Sequence, residues 1–305
     1  MPDEQNIYYH YTSVETLYNI VKTRTFWLVN SKSSNDKTEG VLKKEEINRI
    51  IDLSRKDISD NEKEYFDEIF KDIKDYNLKN EYIFCLSKLE NSLAHWDRYA
   101  SFRKGVCIHI DIKKLNKYFD LLNSPFGQYF NIYELGYLDD ELKKEVIRGF
   151  NAFQEMRKID NRIETNKNIK TFFIKMTKDL ICSSLCSKKK NPYFKDEKEM
   201  RISVSSLKLP DLRDTIKEMN KSEELKSQYL STLEKFDIEK TYFAPIRGEI
   251  RSLHHLCLKD IWGSDLIPEI MLGPNCPQSK DELRYFLDEH GLKDTKITES
   301  KIPIR

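Results

Sequence analysis

Three short polar segments carry the side chains that could do chemistry in this chain. The first is His10-Tyr11-Thr12, where an imidazole and hydroxyl groups stand at the end of an apolar stretch. Such groups are costly to bury unless something pairs with them. Thr12 or Ser13 could cap the helix that follows, and Glu15 has the spacing of a capping box with Thr12. A cap accounts for one hydroxyl and leaves His10 unexplained.

An Asn-Asp-x-x-Glu turn, formed by Asn35, Asp36 and Glu39, follows the second predicted strand. Its carboxylates could line a site together with the His10 segment. They could also begin the next helix, with Asn35 or Asp36 as its cap and Glu39 favoured by the helix dipole. Taken alone, the pattern favours the helix cap.

The second polar segment combines Ser87 with a short predicted helix that contains His95, Trp96, Arg98 and Tyr99. Trp96 and Tyr99 are three residues apart, so they share one helix face. An aromatic pair on a short helix usually packs in a core. Surrounded by the donors Ser87, His95 and Arg98, however, it would also suit stacking against a ring or an adenine-like base.

The third polar segment is Glu197-x-Glu199-x-Arg201, which reads as the start of a strand. Alternation predicts that both carboxylates lie on one face, where two like charges would raise the pKa of one of them. Arg201 continues that face and could hold one carboxylate in an ion pair. An exposed edge strand with a charge ladder is the alternative. The preceding run Lys188–Lys190 could contact phosphate or could be a solvated charged surface.

Composition excludes several classes of function. The chain has 305 residues, a net charge of +1 and 11% aromatic residues, so it can form a core and has no global field for nucleic acid or anionic membranes. No run approaches ~20 apolar residues, and Met1–Gln5 lacks the features of a signal peptide. Six scattered cysteines complete no zinc pattern. We therefore expect a cytoplasmic protein with no metal and no membrane partner.

Hydrophobic periodicity predicts one α+β domain over residues 1–305, with helical insertions at about 39–78 and 140–187. The sheet should be mixed and mostly antiparallel. Predicted strands span about 7–11, 25–29, 81–87, 105–111, 129–137, 199–204, 240–245, 269–272 and 295–298. Predicted helices span about 14–21, 39–55, 61–76, 92–100, 113–121, 140–187, 211–236 and 279–290.

In this order, the polar segments resemble a large bacterial family of unknown function. The resemblance covers nearly the whole chain and rests on the order of short motifs, each of which is weak by itself. The matching motifs are His10-Tyr11-Thr12, Asn35-Asp36 with Glu39, Leu86-Ser87, Trp96 with Tyr99-Ala100, Glu197 with Glu199 and Arg201, Ile270-Met271-Leu272-Gly273, and Ser300-Lys301-Ile302-Pro303.

A more distant resemblance is to the ADP-ribosyltransferase superfamily, which places its functional residues on three separated strands. His10 resembles the first of these elements, and Glu199, preceded by Glu197, resembles the third. Candidates for the middle element, which stacks on nicotinamide, are Ser87, Trp27 and Tyr99. The resemblance implies a split sheet and NAD as substrate. It also implies a toxin or antiviral defence effector that modifies nucleic acid or protein.

Under this resemblance, NAD would bind between the halves of the sheet. His10 would bind the ribose hydroxyls, and Tyr11 or Tyr99 would stack on nicotinamide. Glu199 would hold the ribose 2′-hydroxyl and stabilise the cation formed as nicotinamide leaves, and Glu197 would position or deprotonate the acceptor. The remaining candidate NAD-binding residues are Thr12, Ser87, Trp96, Arg201, Asn35 and Asp36.

Two alternatives use the same polar residues. One is a non-enzymatic sensor or effector whose cleft binds a nucleotide. The other is a metal-independent nuclease toxin that uses His10 or His95 with a carboxylate. The transferase interpretation makes one geometric demand, which is that His10 and Glu199 face the same cavity.

Overall fold

Two units make up the chain in a computed structural model, which describes residues 6–34, 36, 38–78, 81–123, 130–160, 162–205, 222–224, 226–227, 241–246 and 248–303. The first unit consists of Met1–Ser33, Glu81–Tyr133 and Glu197–Arg305, and the second of Ser34–Asn80 and Glu134–Asp196. Both predicted helical insertions fall within the segments of the second unit. The predicted α+β class with a mostly antiparallel sheet is confirmed.

Strands and helices alternate irregularly along the described chain. The strands are β1 (Ile7–Thr12), β2 (Thr25–Asn30), β3 (Val41–Leu42), β4 (Tyr76–Asn77), β5 (Glu81–Ser87), β6 (Val106–Asp111), β7 (Phe130–Glu134), β8 (Glu199–Ser205), β9 (Tyr242–Ile246), β10 (Glu249–Cys257), β11 (Glu269–Leu272) and β12 (Lys296–Glu299). The helices are α1 (Val14–Thr23), α2 (Lys44–Arg55), α3 (Lys63–Ile69), α4 (Leu93–Tyr99), α5 (Ile112–Asn123), α6 (Asp139–Ile159), α7 (Arg162–Thr165), α8 (Lys167–Lys188) and α9 (Lys280–Glu289).

The large sheet forks at β5. Its strand order is β12-β11-β6-β1-β5-β2-β10-β9, with β8 beside β5 and β7 beside β8. β8 pairs with β5 along its whole length, from Glu81 to Ser87. β1 pairs with β5 at Ser87, whereas β2 pairs with it at Tyr82 and Ile83. Because a strand has only two edges, β1 and β2 share the edge opposite β8 and diverge from its two ends.

Alternating residues direct apolar side chains to both faces of this sheet. One face carries a large core that includes Phe26, Phe84 and Ile108, and α1, α5 and α9 cover it. In α1 the covering residues Leu17, Ile20 and Val21 recur at helical spacing. We call this side of the sheet the core face.

The opposite side of the sheet, which we call the polar face, carries a smaller apolar cluster. The members of that cluster are Tyr9, Tyr11, Trp96, Ala100, Cys107 and Met271. Trp96 and Ala100 belong to α4 and its end, so this helix packs on the polar face. Glu199, which pairs with Ser87 in register, lies on the same face as this cluster.

The second unit has a core of its own, which α2, α3, α6 and α8 build from one side of each helix. Ile47, Ile50 and Ile51 of α2 lie at helical spacing, and Phe150 and Phe153 of α6 are almost fully buried. The predicted amphipathic character of these helices is therefore confirmed.

Element boundaries differ from the prediction in several places. The predicted helical section at about 140–187 consists of three helices, α6, α7 and α8. β10 was not predicted, because its sequence mixes arginine and histidine with apolar residues. The predicted helix at 211–236 lies mostly outside the described residues. Among the described helices, none combines the length and the apolar character needed to cross a membrane.

Gly105, immediately before β6, permits a close approach of two backbone segments. A β-carbon added there would lie 2.1 Å from the carbonyl oxygen of Thr12 and 3.0 Å from the backbone of Ala100. We predict that Gly105→Ala lowers the free energy of unfolding by about 1–3 kcal/mol, the usual cost of overpacking. Urea denaturation measures this, with Lys104→Ala at the exposed neighbour as the control. Equal stability of the two variants would contradict the close approach.

Candidate functional site

Glu197 is the centre of a cluster of polar side chains in the first unit. Its side chain is 5% exposed, and its carboxylate accepts a hydrogen bond from the Tyr99 hydroxyl and lies 3.5 Å from Nη1 of Arg98. Its backbone carbonyl accepts hydrogen bonds from Ser87 Oγ at 2.8 Å and from His95 Nε2 at 3.2 Å. Residues from α4 and β5 thus bind both the side chain and the main chain of one glutamate.

The charges of this cluster are arranged around a neutral imidazole. Burial lowers the pKa of His95, while the carbonyl and charge of Glu197 oppose this shift. In the neutral form, the ring donates from Nε2 to the Glu197 carbonyl and accepts at Nδ1 from Ser92 Oγ at 2.9 Å. The Arg98 side chain is 55% exposed, so a solvent-accessible cation stands beside a buried carboxylate.

The spacing of α4 explains how these side chains meet. Arg98 and Tyr99 lie three and four residues after His95, and all three side chains point toward Glu197. Trp96 lies on another side of the helix, is fully buried, and donates from Nε1 to Asn91 Oδ1 at 2.8 Å. Trp96 is therefore a core residue. Its buried ring is not accessible to a ligand, so it cannot stack on one as predicted.

Strand alternation predicted that Glu197 and Glu199 lie on one face of a strand. Glu197 lies outside the strand, so alternation does not bring the two residues together. Glu197 ends a 3-10 turn (Pro192–Glu197), β8 begins at Glu199, and Lys198 between them has a φ of 42°. Both carboxylates are nevertheless close enough to act on the pKa of His95. The turn, rather than the strand, places the two acids near one another.

Glu199 and Arg201 form the ion pair that their spacing predicted. Arg201 Nε lies 2.7 Å from Glu199 Oε1, and the two side chains are 1% and 6% exposed. The edge-strand alternative is wrong for this pair, because β8 lies between β5 and β7. The Tyr133 hydroxyl donates a hydrogen bond to Glu81 at 2.8 Å, and the charge of Arg201 acts on the pKa of Tyr133.

His10 lies on the core face, opposite Glu199. In register, β1 pairs Tyr9 with Ser87, and Ser87 pairs with Glu199, so these side chains share the polar face. The His10 ring instead stacks on Phe84 of the core face, with ring centroids 4.0 Å apart. The structure therefore does not bring His10 and Glu199 to one cavity, as the transferase interpretation required.

The hydrogen bond of His10 explains why a histidine occupies the fork. Its Nδ1 donates to the Cys85 carbonyl at 2.9 Å, in the part of β5 between its pairings with β1 and β2. Burial lowers the pKa of His10 to about 4, and the bond to Cys85 opposes this shift. A neutral, partly buried ring thus satisfies a carbonyl that the diverging strands leave exposed.

Tyr11 and Thr12 have structural surroundings. The Tyr11 hydroxyl donates to the Leu89 carbonyl at 2.7 Å and accepts from Ser92 N at 3.0 Å, which fixes the loop between β5 and α4. Burial raises the pKa of Tyr11. Thr12 is buried at the end of β1, and the cap of α1 is Ser13, which accepts from Thr16 N at 3.1 Å. The capping box proposed for Thr12 is therefore absent from this described turn.

The Asn-Asp-x-x-Glu turn belongs to the second unit. Asn35 lies outside the described residues. Asp36 accepts hydrogen bonds from Thr38 N and Oγ1 and from Asn191 N, at 2.9, 2.7 and 3.2 Å. Burial raises the pKa of Asp36, and these bonds outweigh it, so the net shift is downward. Glu39 accepts from Ser34 Oγ, which makes the turn a closed hydrogen-bonded unit.

The basic run also lies in the second unit. Lys188 pairs with Glu145 at 2.7 Å, and Lys189 pairs with Glu46. Lys190 is 3% exposed. The run is therefore not a solvated charged surface, and its contact with phosphate stays a prediction.

Sequence reasoning missed two groups of residues in the first unit. Glu81 was included in a strand without a role, and its partner Tyr133 is about 50 positions away in sequence. Glu90, His109 and Glu269 were likewise given no role, although one potential ligand atom of each lies within 4.8 Å of the others. The available signal was a single polar residue inside an apolar strand, which His109 provides in β6.

Comparison with known proteins gives one partial match. A family described as "Protein of unknown function (DUF2971)" matches residues 95–202, about a third of the chain. That segment begins within α4 and ends in β8, so it holds His95, Tyr99, Glu197, Glu199 and Arg201. The match agrees with the predicted resemblance to a family of unknown function. No curated protein and no solved structure matches the chain.

His10 should make stability depend on acidity. Its pKa is about 4 in the folded chain and near 6.5 when unfolded, so the unfolded state binds more protons between these values. We predict that the free energy of unfolding falls as pH is lowered from about 6.5 to 4, and that His10→Gln reduces this slope. Urea denaturation across this pH range measures the effect. The difference between the two proteins at pH 8 gives the stability lost through packing alone. Identical slopes would contradict it.

The buried ion pair should respond differently to single and double substitution. Arg201→Met leaves Glu199 buried without its cation, so we predict a loss of about 3–5 kcal/mol in the free energy of unfolding. The double variant Glu199→Met/Arg201→Met should lose less than the sum of the single variants. Denaturant unfolding measures this cycle.

The exposed pair Arg55–Asp67 is the control for this cycle, because its side chains are 44% and 50% exposed. Removing either partner there should cost less than about 1 kcal/mol. If the free energies of unfolding lost by the two single variants add up in the double variant, Glu199 and Arg201 do not stabilise each other, which would contradict the prediction.

Proposed function

We propose that the first unit binds NAD and cleaves its nicotinamide–ribose bond, acting as an ADP-ribosyltransferase or an NAD glycohydrolase with Glu197 as the acting carboxylate. The observation that carries this proposal is that Tyr99 and Arg98 bind the carboxylate of Glu197, whose side chain is 5% exposed. A fixed, desolvated negative charge is suited to stabilise a developing cation. The fork of the sheet at β5 supports the split-sheet fold that the resemblance implies.

In the proposed reaction, the C1′–N bond of NAD breaks and nicotinamide leaves with the electron pair. The ribose C1′ then carries positive charge, which the Glu197 carboxylate stabilises, as carboxylates do in glycosidases. A hydroxyl oxygen of the acceptor or of water forms the new bond to C1′ and gives its proton to Glu197. Arg98, half-exposed beside this carboxylate, is suited to bind a phosphate of the same substrate.

The roles given to the other acids and to His10 change accordingly. Glu199 is engaged with Arg201 in a buried pair, so it supports the site by holding β8 and does not touch the substrate. His10 bonds the Cys85 carbonyl on the opposite face and has no part in the proposed reaction. Tyr99 remains the candidate for contact with nicotinamide, because it is the partly exposed aromatic residue next to Glu197.

The test is release of nicotinamide from labelled NAD by the purified protein, alone and with RNA, DNA or total protein as acceptor. We predict release by the native chain and a roughly 10²–10³-fold lower rate with Glu197→Gln, the usual loss when one preorganised charge-stabilising group is removed. Asp97→Asn is the matched control, because Asp97 is a carboxylate on the same helix that pairs with Arg103 instead. Unchanged release by Glu197→Gln, or no release with any acceptor, would overturn the proposal.

A second candidate is nucleotide binding without turnover. The observation that favours it is the Glu199–Arg201 pair, because the residue expected to act on ribose is occupied in a structural ion pair. Thermal melting with NAD, ADP-ribose and nicotinamide separates the candidates. Stabilisation by NAD or ADP-ribose without nicotinamide release would support the sensor, and Arg98→Ala should then abolish the shift.

A further inference from the structure

On the polar face of the sheet, Glu90, His109 and Glu269 converge from three elements. His109 lies in β6, Glu269 lies directly opposite it in β11, and Glu90 lies in the loop after β5. One ring nitrogen of His109 and one carboxylate oxygen of each glutamate all lie within 4.8 Å of one another. The three residues belong to the first unit, and the proposed function uses none of them.

His109 is the observation that distinguishes this cluster from an ordinary acidic surface. The side chain is 4% exposed, and within the described part of the chain its Nε2 has no hydrogen-bond partner. A buried ring nitrogen without a partner is costly, so its presence needs an explanation. Tyr9 contacts the ring edge-to-face, with ring centroids 4.9 Å apart, and this contact provides no hydrogen bond to Nε2.

The two carboxylates also lack a balancing cation within the described part of the chain. Among the described residues, neither Glu90 nor Glu269 forms an ion pair with a lysine or arginine. Two negative charges this close repel each other, and a dication bound between them would remove that repulsion. An imidazole nitrogen with two carboxylate oxygens is a donor set for borderline divalent metals, whereas all-oxygen sets suit Mg²⁺ and Ca²⁺.

The surroundings fix the orientation of the potential ligands. Thr298 Oγ1 donates to Glu269 Oε1 at 2.6 Å, in the manner of a second coordination shell. The loop of Glu90 is held at Leu89 and Ser92 by the Tyr11 hydroxyl. Two ligands of one metal with bonds of about 2.0–2.2 Å lie at most about 4.4 Å apart, so the exposed Glu90 side chain needs only a small rotation.

From these observations we propose that Glu90, His109 and Glu269 bind one divalent transition-metal ion of the Mn²⁺ to Zn²⁺ class. Three protein ligands leave further coordination positions for water or for a ligand of the protein. The proposal replaces the expectation from sequence that no metal binds. It is independent of the proposed reaction at Glu197.

The test is titration of the chelator-treated full chain with MnCl₂, followed by the paramagnetic resonance signal of free Mn²⁺. Mn²⁺ is the preferred probe because the six free cysteines bind it poorly. We expect one bound ion per chain, an affinity lowered at least about tenfold by Glu90→Gln or His109→Gln, and a higher melting temperature with Mn²⁺. MgCl₂ should not compete at equal concentration.

Glu289→Gln is the matched control, because Glu289 is an exposed glutamate in the same unit, on α9. It should bind Mn²⁺ like the native chain. Glu90 is exposed, so Glu90→Gln keeps the test decisive even where His109→Gln fails to fold. Absence of saturable binding, or equal affinity of the native chain and Glu90→Gln, would overturn the proposal.

Discussion

The guanidinium of Arg201 is the buried charge around which the first unit is organised. It lies on β8, is 1% exposed, and is paired with Glu199 two residues away on the same strand. Burying these charges costs several kcal/mol per ion, which only close geometry and further polar partners repay. Tyr133 of β7 donates to Glu81 of β5, and the charge of Arg201 acts on the pKa of Tyr133, so polar groups from the strands on both sides of β8 lie near this pair.

The fork at β5 follows from the same strand arrangement. With β8 on one edge, the other edge of β5 serves two strands, and the diverging strands leave main-chain groups between them. A strand carbonyl between diverging neighbours loses its ladder donor and needs another hydrogen-bond partner. His10 meets this need at Cys85, and it does so in the neutral form because burial keeps its pKa low. The histidine that first suggested catalysis therefore has a structural reason to be there.

Local rules in the sequence predicted what depends on local spacing. Ser13 was one of two candidate caps for α1, and the pairing of Glu199 with Arg201 follows from the two-residue period of a strand. The turn at Lys198 could not be predicted in this way, because a positive φ at a lysine is uncommon and has no sequence signature. The face that His10 occupies depends on its pairing with distant strands, and a shift of one residue would have reversed it.

The two candidate sites share a support on the polar face. Tyr11 packs against His95 and Trp96 of α4, and its hydroxyl bonds the loop on either side of Glu90. Loss of that hydroxyl would leave buried main-chain groups unpaired, at about 1–3 kcal/mol each. The same loop begins at Ser87, which holds the carbonyl of Glu197. The position of the Glu197 carboxylate and that of Glu90 are therefore set by one short segment, so a ligand that moved this loop would act on both sites.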